Sequence, residues 1–186
     1  STGVCGDGVI QRPETCDDAN GNDTDGCTND CKFVCEDFGG VQRLDDDHCY
    51  RAFDTYLTWH AARSACRQLN GGGGFDLVAL STIAEITWVQ SQPALIGMGS
   101  YWTGGTDAQV QNTFVWTNGE PWTYTAHQEP WATQYEPNGG TIEDCVQAYD
   151  GLVGNGPTYV LNDVNCGWTE TFLCEWTPPN ADAVDP

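Results

Sequence analysis

Glu136-Pro137-Asn138-Gly139-Gly140-Thr141-Ile142-Glu143-Asp144-Cys145 and, further along, Leu161-Asn162-Asp163-Val164-Asn165-Cys166 are the two stretches on which the reading of this chain turns. Side-chain oxygens crowd both. Glu136, Glu143 and Asp163 supply carboxylates, Asn138 and Asn162 supply amide oxygens, and each stretch ends on a cysteine. Three negative charges with no lysine nearby repel one another, so this density of oxygen calls for a positive counterpart.

Working outward, Cys145-Val146-Gln147-Ala148 and Phe172-Leu173-Cys174-Glu175 have the aromatic and β-branched character of short strands, as do Tyr101-Trp102-Thr103 and Phe114-Val115-Trp116. A loop of about thirty residues, rich in Trp, Pro and Glu, separates Trp116 from Cys145; loops of that length in a compact domain are functional or misassigned. Nearer the amino terminus, Thr58 as N-cap followed by Trp59, Ala62, Cys66 and Leu69 at three- and four-residue spacing predicts a helix with one buried face. After a flexible run at Gly71 to Gly74, Leu77-Val78-Ala79-Leu80 predicts a strand. Thr82 and Glu85 then form a capping box ahead of an Ile83, Ile86, Val89 stripe.

The whole chain has 186 residues, 6 of them basic and 27 acidic, for a formal charge of −21. Such a field repels nucleic acid, which is bound by placing Lys and Arg on phosphates, and anionic membranes as well. A neutral, cationic or metal partner is expected. Charged residues make up only 18%, hydrophobic residues 39%, and 8 Trp, 7 Tyr and 6 Phe supply a core, so this is no disordered acidic tail. No run approaches the roughly 18 apolar residues of a membrane helix, and Ser1-Thr2-Gly3 is no signal peptide; a leader, if one existed, has been removed.

Ten cysteines with a single Met read as five disulfides made in an oxidising compartment, and hence as a secreted protein. The competing reading, a zinc ligand row at Cys27, Cys31 and Cys35, lacks paired knuckles, and His48, His60 and His127 stand far from it in sequence. Cys5, Cys16, Cys27 and Cys31 crowd a first segment with almost no apolar residues beyond Val9 and Ile10, where disulfides must replace a core. Four cysteines allow three pairings, and sequence does not choose among them. The expected organisation is a disulfide-stapled module at 1–33, a domain at 34–176, and a linker or frayed end at 177–186.

Taken together, Cys49-Tyr50, Trp59 with Ala62 and Cys66, Leu77-Val78-Ala79-Leu80 with Glu85, Tyr101-Trp102-Thr103-Gly104-Gly105, Phe114 to Gly119, Glu136-Pro137-Asn138, Glu143-Asp144-Cys145, Asn162-Asp163 and Cys166 to Cys174 resemble a C-type lectin domain over residues 35 to 176. The resemblance implies an α+β, C-type lectin-like fold: two helices, small antiparallel sheets and a long calcium-binding loop. It also implies the pairs Cys66 with Cys174, Cys145 with Cys166, and Cys35 with Cys49. The first segment, Cys5-Gly-Asp-Gly through Cys31, is similar to a myxobacterial-type cysteine-rich repeat, which implies secretion and no chemistry.

Ca2+ takes six to eight oxygens in irregular geometry. Glu136, Asn138, Glu143, Asn162 and Asp163 are the expected ligands of one Ca2+, with Glu136-Pro137 in cis as in the family. The same five residues are the expected sugar contacts: carboxylates accept from two neighbouring hydroxyls and the Asn amides donate to them. The order Glu, Pro, Asn resembles family members that favour the equatorial 3- and 4-hydroxyls of mannose-type or fucose-type sugars. Acidification is expected to release the sugar. Gly139 stands where an auxiliary calcium site often has Asp, so Asp107 is not expected to hold a second ion, and Leu161 replaces a usual Trp. A possible second calcium is read instead at Asp17, Asp18, Asn20, Asn22, Asp23 and Asp25, whose alternation resembles a calcium loop without the distal Glu of an EF-hand.

Trp59, Trp88, Trp102, Trp116 and Trp168 read as core; Trp122 and Trp131 are open to either role, with Trp131 resembling a family core residue. The histidines read as surface or partly packed, and no motif for catalysis is visible. The alternatives to a glycan-binding protein are a scaffold that binds protein or ice with calcium only structural, or a targeting fragment of a larger secreted enzyme. Neither the oligomeric state nor the natural glycan is legible here.

Overall fold

In the computed structural model the described residues are 4–11, 13–69, 74–149 and 157–178. The glycine run, apart from Gly74, and the tail from residue 179 lie outside them. Eight strands share one sheet: β1 (Val41–Arg43), β2 (His48–Leu57), β3 (Phe75–Leu77), β4 (Ser100–Thr106), β5 (Val115–Trp116), β6 (Cys145–Tyr149), β7 (Leu161–Val164) and β8 (Glu170–Trp176). The order is β1-β2-β8-β4-β6-β7, with β3 added to β8 and β5 to β4. All pairs are antiparallel except β4 with β8, where Tyr101 faces Thr171 and Trp102 faces Phe172. The small antiparallel sheets expected from sequence are therefore joined into one through this parallel contact.

β8 holds the centre, pairing with β2, β3 and β4. It is buried from Thr171 to Trp176, as a strand covered on both faces must be. Helix α1 (Trp59–Arg67) lays Trp59, Ala62 and Cys66 against the sheet. Trp59 Nε1 donates to Thr103 O at 2.8 Å, and Cys66 is bonded to Cys174 of β8. Thr58 sits at the N-cap, but its side chain makes no capping bond.

Helix α2 (Ile83–Gln90) starts on Thr82, whose Oγ1 accepts from Glu85 N at 3.1 Å. The reciprocal half of the box is displaced by one residue, because Glu85 Oε2 accepts from Ser81 N at 2.8 Å. The buried face is Glu85, Ile86 and Val89, and Ile83 of the expected stripe is exposed. Glu85 is pulled inward by Tyr50, whose hydroxyl donates to Oε1 at 2.7 Å. The expected strand at Leu77 to Leu80 begins earlier, at Phe75. Val78 then wedges between the two central strands, its N–H donating to Leu173 O and its carbonyl accepting from Gly104 N.

The disulfides are Cys5–Cys31, Cys16–Cys27, Cys35–Cys49, Cys66–Cys174 and Cys145–Cys166. Cys27, Cys31 and Cys35 each have a different partner, which removes the zinc reading. The amino-terminal segment meets the domain through Phe33, whose ring stacks on Trp176 at 3.8 Å and on Phe38 at 5.3 Å. Gly26 is required there: its φ is +106°, and a Cβ would stand 2.0 Å from Phe38 Cζ. Of the tryptophans read as core, Trp59, Trp102 and Trp116 are buried, Trp88 is half-buried, and Trp168 is 54% exposed. Trp168 follows a turn closed by its N–H on Asn165 O, which leaves the ring outside the sheet.

His48 is partly packed, and it is held by a buried carboxylate. Its Nδ1 lies 2.5 Å from Oε1 of the buried Glu175, whose Oε2 accepts from Ala79 N at 2.8 Å. Burial pulls the imidazole down, but the bond and charge of Glu175, with Asp46 and Glu120 behind, outweigh it and push His48 up to about 9. A group raised in the fold contributes stability below its unfolded value of about 6.5 and loses it as pH rises through the folded value. His48→Gln is therefore expected to cost stability at pH 6, by about 2 kcal/mol for a bond to a charged group. Chemical denaturation of both proteins should show the difference shrinking steadily between pH 7 and pH 10.

Candidate functional site

The pairing of β6 with β7 sets Gln147 opposite Asn162 and Val146 opposite Asp163. Cys145–Cys166 clamps that pair across a Cα separation of 5.2 Å. Asn162 and Asp163 thus lie on a strand, and Asp163, 3% exposed, reaches back to the first stretch. Its Oδ1 accepts from Asn138 N and its Oδ2 from Gly139 N, both at 3.0 Å. The Glu136-Pro137 bond is cis. Asn138 Nδ2 donates to Glu136 Oε2 at 2.6 Å. With the Asn162 amide turned to suit its neighbours, its nitrogen donates to both Glu136 oxygens at 3.0 and 3.1 Å, and its oxygen accepts from Gln147 Nε2 at 3.2 Å.

Glu136, Asn138, Asn162 and Asp163 therefore form one hydrogen-bonded group. Glu143 lies alongside it: a Cβ on Gly139 would meet the Glu143 side chain at 2.1 Å, so only glycine leaves that carboxylate room. The three carboxylates do not all lie within 4.8 Å of one another, although Glu136 and Asp163 are in contact. Glu136 is pushed up to about 7, first by burial and then by the contact with and charge of Asp163 and the charge of Glu143. Burial and Asp163 also raise Glu143. Each negative oxygen makes its neighbours harder to ionise, a situation a cation reverses.

Asp107 belongs to the same electrostatic neighbourhood. It is buried and raised by burial, then by Asp144 and Asp163; its Oδ2 accepts from Gln111 Nε2 and Asn112 N, while Oδ1 makes no hydrogen bond. This oxygen-only donor set, with mutually raised carboxylates and a buried acceptor lacking a donor, fits a hard cation such as Ca2+. Sequence reasoning passed over Gln147. Its signal was the alternation of β6, which places it across from Asn162.

In the acidic run near the amino terminus, the side-chain oxygens of the six residues read as a possible second calcium site all take part in local hydrogen bonds. Asp17 accepts from the backbone N–H groups of Gly6, Asp7, Gly8 and Ala19. Asp18, Asn20 and Asn22 each accept from an N–H two residues on, Asp23 holds Asn29, and Asp25 accepts from Asn20 Nδ2. Their oxygens shape the loop itself, as short polar side chains do in turns. Two other groups among the described residues do lie within 4.8 Å: one joins Glu14 and Asp17 to the disulfide-bonded Cys31; the other is Glu85 and Glu175 with His48, where each carboxylate already bonds donors.

The Lectin C-type domain family model matches residues 55–176. The chain is 27% identical over 164 residues to an alpha-N-acetylgalactosamine-specific lectin of Patiria pectinifera, covering 83% of this chain and 89% of that one. It is 35% identical over 135 residues to a lectin of Pleurodeles waltl, 70% of each. Its fold superposes on human lithostathine with a TM-score of 0.59 at 21% identity, over 75% of this chain and 88% of that one.

Asp163→Ala removes the acceptor of two N–H groups at once while leaving the disulfide in place. Hydrogen exchange followed by NMR is expected to show Asn138 and Gly139 amides losing protection by about tenfold or more, with the amides of β8 unchanged.

Proposed function

The chain belongs to the C-type lectin family, and from that membership we propose that it is a secreted glycan-binding protein whose primary site is Glu136, Asn138, Glu143, Asn162 and Asp163 around one Ca2+. The observation that carries this reading is the single hydrogen-bonded group made by Glu136, Asn138, Asn162 and Asp163, with Glu143 beside it over Gly139. When bound, Ca2+ supplies positive charge to these oxygens and open coordination positions for two neighbouring hydroxyls of a sugar.

The chain's own residues do the rest. The carboxylates of Glu136 and Glu143 accept hydrogen bonds from sugar hydroxyls, and the amide nitrogens of Asn138 and Asn162 donate to the hydroxyl oxygens. Both hydroxyls are then satisfied as donor and as acceptor. Asp163 keeps Asn138 in place through the backbone, so it orients the site as well as contributing charge. The order Glu136, Pro137, Asn138 supports a preference for the equatorial 3- and 4-hydroxyls of mannose-type or fucose-type sugars. The Patiria relative is named for specificity toward N-acetylgalactosamine. One diol contact corresponds to about millimolar affinity, roughly −4 kcal/mol.

The amino-terminal segment, with its two disulfides, suits a secreted chain and adds no chemistry to this site.

Asn162→Ala is expected to abolish both calcium uptake and sugar binding, read by calorimetric titration of Ca2+ and by a glycan array run with calcium and with chelator. A variant that loses calcium but keeps sugar, or a native protein that binds calcium and no glycan, overturns the proposal in favour of a scaffold role. The double variant Glu136→Gln, Asn138→Asp exchanges donor and acceptor order. Competition with mannose and galactose should show the preference moving toward galactose by about tenfold or more.

A further inference from the structure

We infer that the site continues into a second one: a polar groove lined by His127, Gln128, Glu129, Gln134 and Tyr159 that holds the neighbouring pyranose of a neutral oligosaccharide. This inference rests on the primary site being a glycan site. The groove has a volume of about 520 Å3, within the range of ligand pockets and ample for one sugar ring.

Its construction joins it to the primary site on both sides. One wall is the segment 127–134, which runs two residues further into Glu136. The other is Tyr159, which runs through Leu161 into Asn162 and Asp163. These walls are fixed to each other by backbone bonds. Pro130 O accepts from Val160 N at 2.8 Å and from Leu161 N at 2.9 Å, and Ala132 N donates to Leu161 O at 2.7 Å. Thr158 Oγ1 donates to Glu129 Oε1. His127, at φ +64°, turns its N–H onto Glu136 O at 2.8 Å, which ties the groove directly to the Glu136-Pro137-Asn138 stretch. The backbone frame of the groove is thus built in advance, and the ordering cost of binding falls on its side chains.

The lining selects the chemistry. Two primary amides, a carboxylate, an imidazole and a phenol each offer donors, acceptors or both, the complement of hydroxyl groups that do the same. His127, Gln128, Glu129 and Gln134 are exposed and so reachable. Among the described residues no Lys or Arg lines the groove, and the chain carries −21, so an anionic sugar or sulfate is disfavoured. Nor, among the described residues, does any aliphatic side chain line it, which disfavours a lipid tail.

The test uses the full chain in calcium and three pairs of probes: methyl α-mannoside with mannobiose, N-acetylglucosamine with chitobiose, and galactose with galactobiose. The disaccharide of at least one pair is expected to bind about fivefold or more tightly than its monosaccharide, the gain of one or two neutral hydrogen bonds. In the triple variant Gln128→Ala, Gln134→Ala, Tyr159→Phe that ratio should fall to about twofold or less, with the monosaccharide affinity unchanged. Equal affinities within every pair, or a gain that survives in the variant, overturn the second site while leaving the primary one standing. Absence of any calcium-dependent monosaccharide binding overturns both.

Discussion

The constraint on which the binding end of this molecule depends is the repulsion among carboxylates held close together. Glu136, Glu143 and Asp163 are drawn near one another by covalent and backbone clamps placed outside the cluster: the Cys145–Cys166 bond, the β6–β7 ladder, and the two N–H groups that Asp163 accepts. Repulsion appears in the fold as carboxyl groups that ionise less readily than usual. A scaffold that bears this cost holds its oxygens pre-arranged, and under the proposed function it is the cost that a cation would relieve.

The same tension is handled differently deeper in the fold. Glu85 and Glu175 are both buried, with 2% and 1% exposure, in a protein that has very few basic residues. They are satisfied by Tyr50, Ser81, Ala79 and His48. Those bonds fasten α2 and β2 to the central strand. One imidazole and several neutral donors do the work for which a more basic chain could use Lys or Arg.

Much of this was legible in the sequence, and the exceptions have physical causes. The spacing of Trp59, Ala62 and Cys66 specified a buried helix face because three- and four-residue periodicity is a local property. The two oxygen-rich stretches were read together from their composition, and the bonds of Asp163 to Asn138 and Gly139 bring them side by side. The β1–β2 hairpin went unread, since only two of the ten β2 residues are buried and the strand carries no clean alternation. The parallel contact of β4 with β8 joins residues about seventy positions apart, a register set only by packing. Trp168 shows that standing beside a predicted strand does not decide which way a ring faces. Among the four cysteines of the first segment, three pairings were equally open until the loop placed Cys5 on Cys31.

The stacking of Phe33 on Trp176 has a further meaning. The chain enters the lectin domain and leaves it at nearly one point, beside the last residue of β8, whereas β7 lies three strand spacings away, about 14 Å across the sheet. A domain with adjoining entry and exit can be spliced into a host polypeptide as a pendant lobe without prising the host apart. Such architecture lends itself to transplantation: a recipient loop of another protein could carry it, with β7 turned outward from the junction.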